Sequence, residues 1–529
     1  MKGRNDLYLD QIKRIKVKII FFLFVFILLG GCASAPEKVC HKIHSSPGSD
    51  LSNDWKTKHV IQIASDGNLE SSNEADESRC KGVSDNGMFD SIFKEIKKLD
   101  LKNKNGKKEI LIYIHGGLNT KEDSLTRAEK FYGKIMDSKK YPIFVNWDSD
   151  PVRTYKAHLT KIRHGEYSST VRSTAPVYLL TDVVNSIINA PKCWLIQQEH
   201  SRKSTIERKP DYETEIECFA KNNKENPNKI KFYYTKDNEK FSPFWRSIRW
   251  SLTSPFKFIT TPFACTLPRS AWDIMLRRTN TMFRRECDFD RDSGHGQQGT
   301  GALSVFLRKF ENEFRSELEK KNIEITLIGH SMGAIIVNKM INLHPDLPYK
   351  NIVHMASADS MRNFMALVVP YIRSHPDVNF YSLSLHPENE NREESAIKKI
   401  ILTKGLLPSG SLLVWIDHMY TTPETIMDRR SGRWDNMKRI LHMIRKTEKN
   451  NDVEPEKMSI CQDTGAAKTE DERIREETGQ SGRKLLKAPL DRMHFKVFGR
   501  GNPCEPQEHG DFDDYDFWNR SYWTNEEKI

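Results

Sequence analysis

Short unbroken apolar runs recur along the chain and alternate with longer segments in which apolar residues return every three or four positions. The unbroken runs are typical of strands buried on both faces, and the periodic segments predict amphipathic helices. The predicted strands are His59–Ile63, Glu109–Ile114, Pro142–Trp147, Glu324–Ile328, Ile352–Ala356, Asn379–Leu385 and His494–Phe498. The predicted helices are Met88–Leu99, Ser124–Asp137, Ala302–Lys320 and Met332–Leu343.

The order of these elements predicts the class of fold. Strands that alternate with helices form a parallel sheet with helices on its faces, so we expect an α/β protein with a mostly parallel sheet. The alternation stops near Asp150, after an early strand, and returns about 150 residues later. We therefore predict two insertions, 151–300 and 403–485, of which the first is a candidate lid that faces the membrane. The core would comprise residues 56–150, 301–402 and 486–529.

The N-terminal segment has the pattern of a targeting signal. Basic residues precede an apolar run, Ile19–Leu29, which is too short for a helix that crosses a bilayer but suits a signal peptide. The run ends in Gly30-Gly31-Cys32, which resembles the bacterial lipobox, where the cysteine is acylated and becomes the mature N-terminus. We expect a signal peptide at 1–31, a lipid on Cys32 and a tether at 32–55. An ordinary signal peptide or a short anchor helix is the alternative.

Net charge and cysteine content restrict the partners and the cellular compartment that we expect for the protein. The net charge of +11 favours contact with anionic surfaces, which are membrane lipid or nucleic acid, and export argues against nucleic acid. Ala33 follows the lipobox cysteine, and by the sorting rule of Gram-negative lipoproteins this points to the outer membrane. Eight further cysteines allow disulfides in an exported chain, but without a C-x-x-C pair a zinc site is not expected.

One motif carries the expected chemistry. Gly329-His330-Ser331-Met332-Gly333 fits G-x-S-x-G and lies between a predicted strand and a predicted helix. A sharp strand-to-helix turn presents the serine hydroxyl, and the tight turn needs glycine on both sides. We predict Ser331 as a nucleophile and the Met332 backbone N–H as an oxyanion donor.

A second glycine motif follows the strand that ends at Ile114. His115-Gly116-Gly117-Leu118 has the position and composition of an oxyanion-hole loop. We predict Gly117 or Leu118 as the second oxyanion donor and expect His115 to brace the loop.

A serine nucleophile needs a base, and the base needs an acid to orient it. His509 follows the last predicted strand and is the predicted base. The acid should follow the strand that ends at Leu385, where the loop is rich in glutamate. Glu390 is the first candidate for the acid. The alternatives, in order, are Glu388, Glu393 and, after a later apolar run, Asp417.

With these residues in place, the chain resembles the α/β-hydrolase superfamily, in particular its lipase- and esterase-like branch. The resemblance covers roughly residues 105–150, 320–395 and 490–515. It implies the α/β-hydrolase fold and hydrolysis of carboxylic esters without a cofactor or metal. Acyl transfer or phospholipase activity would use the same residues, and a peptidase is a third possibility. A non-catalytic envelope lipoprotein that binds a partner is the alternative from another class.

A segment of the first insertion combines aromatic and basic residues. Within 240–285, nine aromatic residues alternate with nine Lys or Arg residues, and Asp273 is the single acidic residue. This mixture suits a membrane interface, and it equally suits an insertion that packs its aromatics over the core. The expected partners are therefore an ester or lipid substrate and a membrane. The sequence determines no oligomeric state.

Overall fold

A computed structural model gives the fold. It describes residues 54–69, 89–99, 106–117, 119–163, 166–167, 171–205, 231–235, 269–284, 301–393, 410–421, 423–441 and 490–524. The expected signal peptide, Cys32, Leu118 and residues 240–268 lie outside the described residues. No helix in the described part is both long and apolar enough to cross a membrane.

Eight parallel strands form one sheet. Its strand order is β1-β3-β2-β7-β8-β9-β10-β6. The bounds are β1 Val60–Ile63, β2 Lys108–Ile114, β3 Lys140–Trp147, β6 Lys231–Tyr234, β7 Ile323–His330, β8 Tyr349–Met355, β9 Asn379–Leu385 and β10 Met493–Phe498. A small antiparallel pair, β4 Ile162–Arg163 and β5 Glu166–Tyr167, stands apart from this sheet. The expectation of an α/β protein with a mostly parallel sheet is confirmed.

Helices flank the sheet and connect its strands. The longer ones are α2 Asp90–Lys98, α3 Lys121–Asp137, α4 Pro151–Thr160, α5 Val171–Thr205, α6 269–281, α7 Ala302–Glu313 and α9 Gly333–Leu343. The shorter ones are α1 Asp54–His59, α8 Arg315–Glu319, α10 Met361–Asn363, α11 Val369–Ser374, α12 Pro387–Arg392, α13 Leu412–Trp415, α14 434–441 and α15 Arg520–Trp523. Phe364–Val368 and Ile416–Tyr420 are π-helical turns, and Ile426–Asp428 and His509–Asp514 are 3₁₀ turns.

Local sequence explains where the helices at the site's edge begin. The Thr120 hydroxyl accepts the backbone N–H of Asp123 at 3.0 Å and caps α3. The Asp150 carboxylate accepts the N–H of Arg153 at 2.6 Å and caps α4, which has proline at its first position. Both caps lie in loops that leave the carboxyl ends of strands, so these helices start beside the same edge of the sheet.

The core fills both faces of the sheet with aromatic and branched side chains. One face carries a cluster of five phenylalanines from α2, α7 and the turn after α7. They are Phe89, Phe93, Phe306, Phe310 and Phe314. On α3, Phe131 packs against Phe517 and Trp518 from the C-terminal segment, which ties that segment to the core.

None of the six described elements of the first insertion was predicted from the sequence. The strand β6 adds to the edge of the sheet beside β10, and the long helix α5 follows the small antiparallel pair. A four-residue strand, Lys-Phe-Tyr-Tyr, between polar segments gives too little pattern to be recognised. The predicted helix Ala302–Lys320 is divided at Phe314, whose side chain turns into the core.

Cys504 is disulfide-bonded.

Candidate active site

Ser331 lies at the turn between β7 and α9 in a left-handed backbone conformation, with φ 51°. Its backbone N–H donates to the Met355 carbonyl at 2.8 Å, and its own carbonyl accepts the N–H of Ala358 at 3.0 Å. These two bonds hold the turn against the segment after β8. The side chain is thereby fixed at the carboxyl edge of the sheet.

The glycines of the motif are required by space. A Cβ on Gly329 would lie 2.6 Å from the backbone nitrogen of Ala334, within the same turn. A Cβ on Gly333 would overlap the carbonyl oxygen of Ile114 on β2. The first residue of the helix therefore touches the neighbouring strand, and this contact brings the turn against the loop that follows β2.

That loop, which begins with His115, packs directly on the nucleophile turn. A Cβ on Gly116 would be 2.9 Å from the Cβ of Ser331, and one on Gly117 would be 2.8 Å from the sulfur of Met332. Among the described residues, the backbone N–H groups of Gly117 and Met332 have no hydrogen-bond acceptor. Two unpaired N–H groups therefore lie on adjoining segments beside the serine, as an oxyanion site requires.

Three side chains fix the Gly116 carbonyl, which accepts from His115 Nδ1 at 2.8 Å, Ser149 Oγ at 3.0 Å and Asn119 Nδ2 at 3.2 Å. In a trans peptide the carbonyl and the following N–H point in opposite directions. The three donors therefore direct the Gly117 N–H away from Ser149 and Asn119.

His115 is engaged on both ring nitrogens. Its Nδ1 donates to Gly116, so its Nε2 is the acceptor, and it takes the backbone N–H of Trp147 at 3.3 Å. Burial lowers the pKa of His115 to about 4, which keeps the ring neutral. The side chain joins the loop to β3 and is not available as a base for Ser331.

His509 contacts Ser331, the predicted nucleophile. Its Nε2 is 3.0 Å from Ser331 Oγ, although 178 residues separate the two. Burial first, and then the neighbouring His330, lowers the pKa of His509 to about 3, so the imidazole is neutral near pH 7. If Nε2 accepts the serine hydroxyl, the proton is on Nδ1, which is buried and has no hydrogen-bond partner in the described structure.

A buried carboxylate anchors the turn that carries His509. Asp513 accepts the hydroxyl of Tyr113 at 2.9 Å and forms an ion pair with Arg127. Burial raises the pKa of Asp513, but Arg127, His330 and Tyr113 together outweigh burial and leave that pKa below its ordinary value. The carboxylate therefore ties the C-terminal turn to β2 and α3.

His330 links this anchor to the Ser331–His509 pair. Its Nε2 donates to the carbonyl of His509 at 3.0 Å, and its Nδ1 is 3.8 Å from Asp513. The residue before the nucleophile and the residue that follows β10 are thus held together through the main chain of His509.

The structure distributes the four predicted acid candidates to different places. The Glu393 carboxylate accepts the backbone N–H of His509 at 2.8 Å. Glu390 instead accepts the Ser411 hydroxyl at 3.0 Å and lies 3.4 Å from Arg433. The first candidate therefore does not meet His509, whereas the third candidate contacts its main chain.

The remaining two candidates are paired with cations. Glu388 forms an ion pair with Arg500. Asp417 is 3.0 Å from Arg433 Nη1 and accepts the Asn436 side chain at 2.9 Å. Neither is hydrogen-bonded to His509 in the described part of the chain.

Five residues that support the site carry no motif in the sequence and were not predicted. The unrecognised ones are Tyr113, Asn119, Arg127, Ser149 and Asp513. Asn119 and Ser149 each follow the carboxyl end of a predicted strand, which was an available signal. The carboxylate at 513 lies among several acidic residues after His509, and only the fold distinguishes it from them.

The described part of the aromatic and basic segment packs inward. In α6 and the turn after it, Trp272, Arg278 and Phe283 are buried, and Arg278 donates to the Thr154 hydroxyl at 2.7 Å. Within 269–284 the aromatic side chains therefore belong to the core. No cluster of potential metal ligands occurs among the described residues.

No protein-family model, curated protein or solved structure matches the chain.

Proposed function

We propose that the chain is a serine hydrolase that cleaves carboxylic esters through an acyl-enzyme. The observation that carries the proposal is the 3.0 Å contact between Ser331 Oγ and the neutral His509 Nε2. The N–H groups of Gly117 and Met332, which have no acceptor among the described residues, support the same chemistry, because a nucleophile, a base and oxyanion donors are the parts of acyl transfer.

We further propose the α/β-hydrolase fold. In that fold the nucleophile, the acid and the histidine follow in this chain order, and the oxyanion loop follows the strand beside the nucleophile strand. Here Ser331 follows β7, the glutamate loop follows β9 and His509 follows β10. The strand before His115 is β2, the immediate neighbour of β7. The sheet order supports this assignment.

The reaction would proceed in two halves. Ser331 Oγ forms a bond to the ester carbonyl carbon as its proton moves to His509 Nε2. The carbonyl oxygen, now negative, is held by the N–H groups of Gly117 and Met332. The carbon–oxygen bond to the alcohol then breaks, and the alcohol takes the proton from His509. Water repeats the sequence on the acyl-enzyme and releases the acid and Ser331.

For the acid we propose Glu393 in place of Glu390. Its carboxylate contacts the main chain of His509, the residue whose buried Nδ1 has no hydrogen-bond partner in the described structure. Burial raises the pKa of Glu393. The imidazolium that forms on His509 favours the ionised carboxylate and offsets this effect.

We also propose that the protein works in the cell envelope, held by the lipid expected on Cys32. The disulfide bond at Cys504 supports an oxidising compartment, because thiols in the cytosol are kept reduced. The lipobox-like Gly30-Gly31-Cys32 supports the anchor.

Reaction with a fluorophosphonate tests the nucleophile. We expect the wild type to be labelled and Ser331→Ala and His509→Ala to lose labelling, because the serine is activated only beside its base. The control is Ser374→Ala, a serine hydroxyl that bonds a carbonyl on α11, and it should label normally. A folded wild type that does not react, with or without liposomes, would exclude the serine mechanism and favour a binding protein.

A second experiment tests the acid. Glu393→Gln is expected to lower kcat about a hundredfold or more, because the histidine loses the carboxylate that orients it. Glu390 contacts Ser411 and Arg433 rather than His509, so Glu390→Gln should change kcat much less. If Glu390→Gln lowers kcat more than Glu393→Gln does, Glu390 rather than Glu393 is the acid that orients His509.

A further inference from the structure

The helix α5 carries an unusual set of exposed side chains. Every large apolar side chain that is exposed in the described part of the chain belongs to it. They are Val177, Tyr178, Leu179, Leu180, Val183, Val184, Ile187, Ile188 and Leu195. Single exposed apolar residues are common on protein surfaces, but nine on one helix form a patch of the kind that marks a contact with a partner or a membrane.

The most exposed members follow a helical period. Val177, Leu180, Val184, Ile187 and Ile188 recur at intervals of three and four residues, so they share one side of the helix. Four of these five are between 64% and 69% exposed, apart from Val184 at 44%. Together with Leu195 the stripe is about 27 Å long at 1.5 Å per residue. We call these six residues the apolar stripe.

The opposite side of α5 holds the helix to the molecule. Asp182 accepts the hydroxyl of Tyr155 on α4 at 2.6 Å, and Val171 is buried at the start of the helix. The helix also contacts α12 and the turn Ile416–Tyr420. The apolar stripe is therefore directed away from the body of the protein.

These contacts locate α5 near the carboxyl ends of the parallel strands, where Ser331 also lies. The helix α4 follows the carboxyl end of β3, and α12 follows the carboxyl end of β9. In a parallel sheet all carboxyl ends lie at one edge, and Ser331 follows β7 at that same edge. The exposed helix and the nucleophile are thus on one side of the protein.

We propose that the apolar stripe of α5 docks on a phospholipid bilayer, and that the substrate is an ester-containing lipid drawn from it. The choice of substrate rests on the proposed hydrolase function. The exposed basic residues Arg172, which precedes the stripe, and Lys192, which lies between Ile188 and Leu195, complement anionic headgroups. The expected lipid on Cys32 supplies the bilayer, since the roughly 20 residues between it and α1 reach at most about 70 Å.

Photo-crosslinking of the full chain tests the docking without reference to catalysis. The probe is a vesicle of phosphatidylglycerol and phosphatidylethanolamine that contains a lipid with a diazirine in its acyl chain. We expect crosslinks within 177–195. In the variant Leu180→Ser, Ile187→Ser, Ile188→Ser they should fall about tenfold or more, because the buried apolar area is lost. The matched control Leu180→Met, Ile187→Leu, Ile188→Leu keeps the stripe apolar and should retain them.

Turnover tests the substrate class. The ratio of hydrolysis of a vesicle-borne diacylglycerol ester to that of a monomeric short-chain ester is expected to fall about tenfold in the serine variant and to stay unchanged in the control. Crosslinks confined to other parts of the chain, or a crosslink pattern that the serine variant shares with the wild type, would overturn the docking. A ratio that does not change would overturn the lipid substrate.

The two proposals fail in different ways. If the hydrolase mechanism is wrong, Ser331→Ala and the wild type turn over esters equally, while the crosslinks in α5 persist. If the docking is wrong, ester turnover depends on Ser331 but the crosslinks in α5 are absent.

Discussion

Ser331 has a left-handed backbone conformation although it carries a side chain. A left-handed φ of 51° is strained for a residue with a side chain and costs about 1–3 kcal/mol. The hydrogen bonds of its N–H and carbonyl to Met355 and Ala358 hold it there, and the helix that starts at Gly333 packs behind it. Local strain is thus offset by contacts from β8 and β2, which are remote in sequence.

Gly333→Ala tests that packing. Helix propensity alone would make alanine more stable by about 1 kcal/mol. The clash with the Ile114 carbonyl reverses the sign, and we expect a net destabilisation of about 2 kcal/mol together with loss of activity. Urea unfolding measures it. The control Gly133→Ala on α3, where a Cβ has no neighbour within 4 Å, should stabilise by about 0.5–1 kcal/mol. A stable Gly333→Ala protein would contradict the close contact.

His354 gives a prediction about pH. It lies buried in β8, its Nε2 has no partner in the part of the chain that the structure describes, and burial lowers its pKa from 6.5 to about 3. Below pH 6.5 the unfolded chain binds a proton that the native state does not, so this residue costs stability as pH falls. Relative to His354→Leu, the wild type should lose about 2 kcal/mol between pH 7.5 and pH 5. If the free energies of unfolding of the wild type and His354→Leu differ by the same amount at pH 7.5 and at pH 5, the native state does not shield His354 from protonation, which would contradict the prediction.

At the scale of the element, the loop after β2 works as a unit with the carboxyl end of β3. Asn119 belongs to the loop, Ser149 follows β3, and both donate to the Gly116 carbonyl. A loop of two glycines has much conformational freedom, and these bonds remove it. The orientation of the Gly117 N–H therefore depends on a residue from the next strand.

Ser149→Ala is expected to lower kcat about tenfold with little change in KM, because the oxyanion contact forms fully only in the transition state. Steady-state kinetics on a monomeric ester gives both values. The control Ser138→Ala removes a serine hydroxyl that bonds the Ile135 carbonyl at the other end of α3, and its kcat should match the wild type. A rise in KM alone would assign Ser149 to substrate binding.

At the scale of the molecule, buried ions join the segment after 410 to the glutamate loop. Arg433 lies 3.0 Å from Asp417 and 3.4 Å from Glu390, and all three are buried. Such a group contributes little net stability when complete, but removal of one partner leaves a buried charge. The cluster therefore fixes how this segment sits on the carboxyl edge of the sheet.

Arg433→Met should destabilise the protein by about 3–5 kcal/mol, because Asp417 loses its closest cation. Urea unfolding of the wild type and the variant measures this change in the free energy of unfolding. The control Arg362→Met breaks an exposed pair with Asp428 and should cost less than about 1 kcal/mol. Similar costs for the two variants would mean that the cluster is hydrated.

The fold was largely predictable because its strands are buried on both faces. An unbroken run such as Ile110–Ile114 is typical of a strand buried on both faces, and strand–helix alternation then favours a parallel sheet. The strand β6 was not predicted because four residues are too few to show a hydrophobic period. The helix α5 was not predicted because apolar residues are spread around it, and only its contacts define which side is exposed.

The sequence by itself determined the strands of the core and the motifs around Ser331 and Gly117, because their glycines and apolar runs are local requirements. It also determined His509 as the candidate base, since that residue follows the last predicted strand. Tertiary structure alone decided which carboxylate contacts His509. Glu388, Glu390 and Glu393 are the same residue type within six positions of one loop, so the sequence does not distinguish them. Their partners are Arg500, Arg433 and the His509 main chain. Each partner comes from a distant segment, and folding is what brings those segments together.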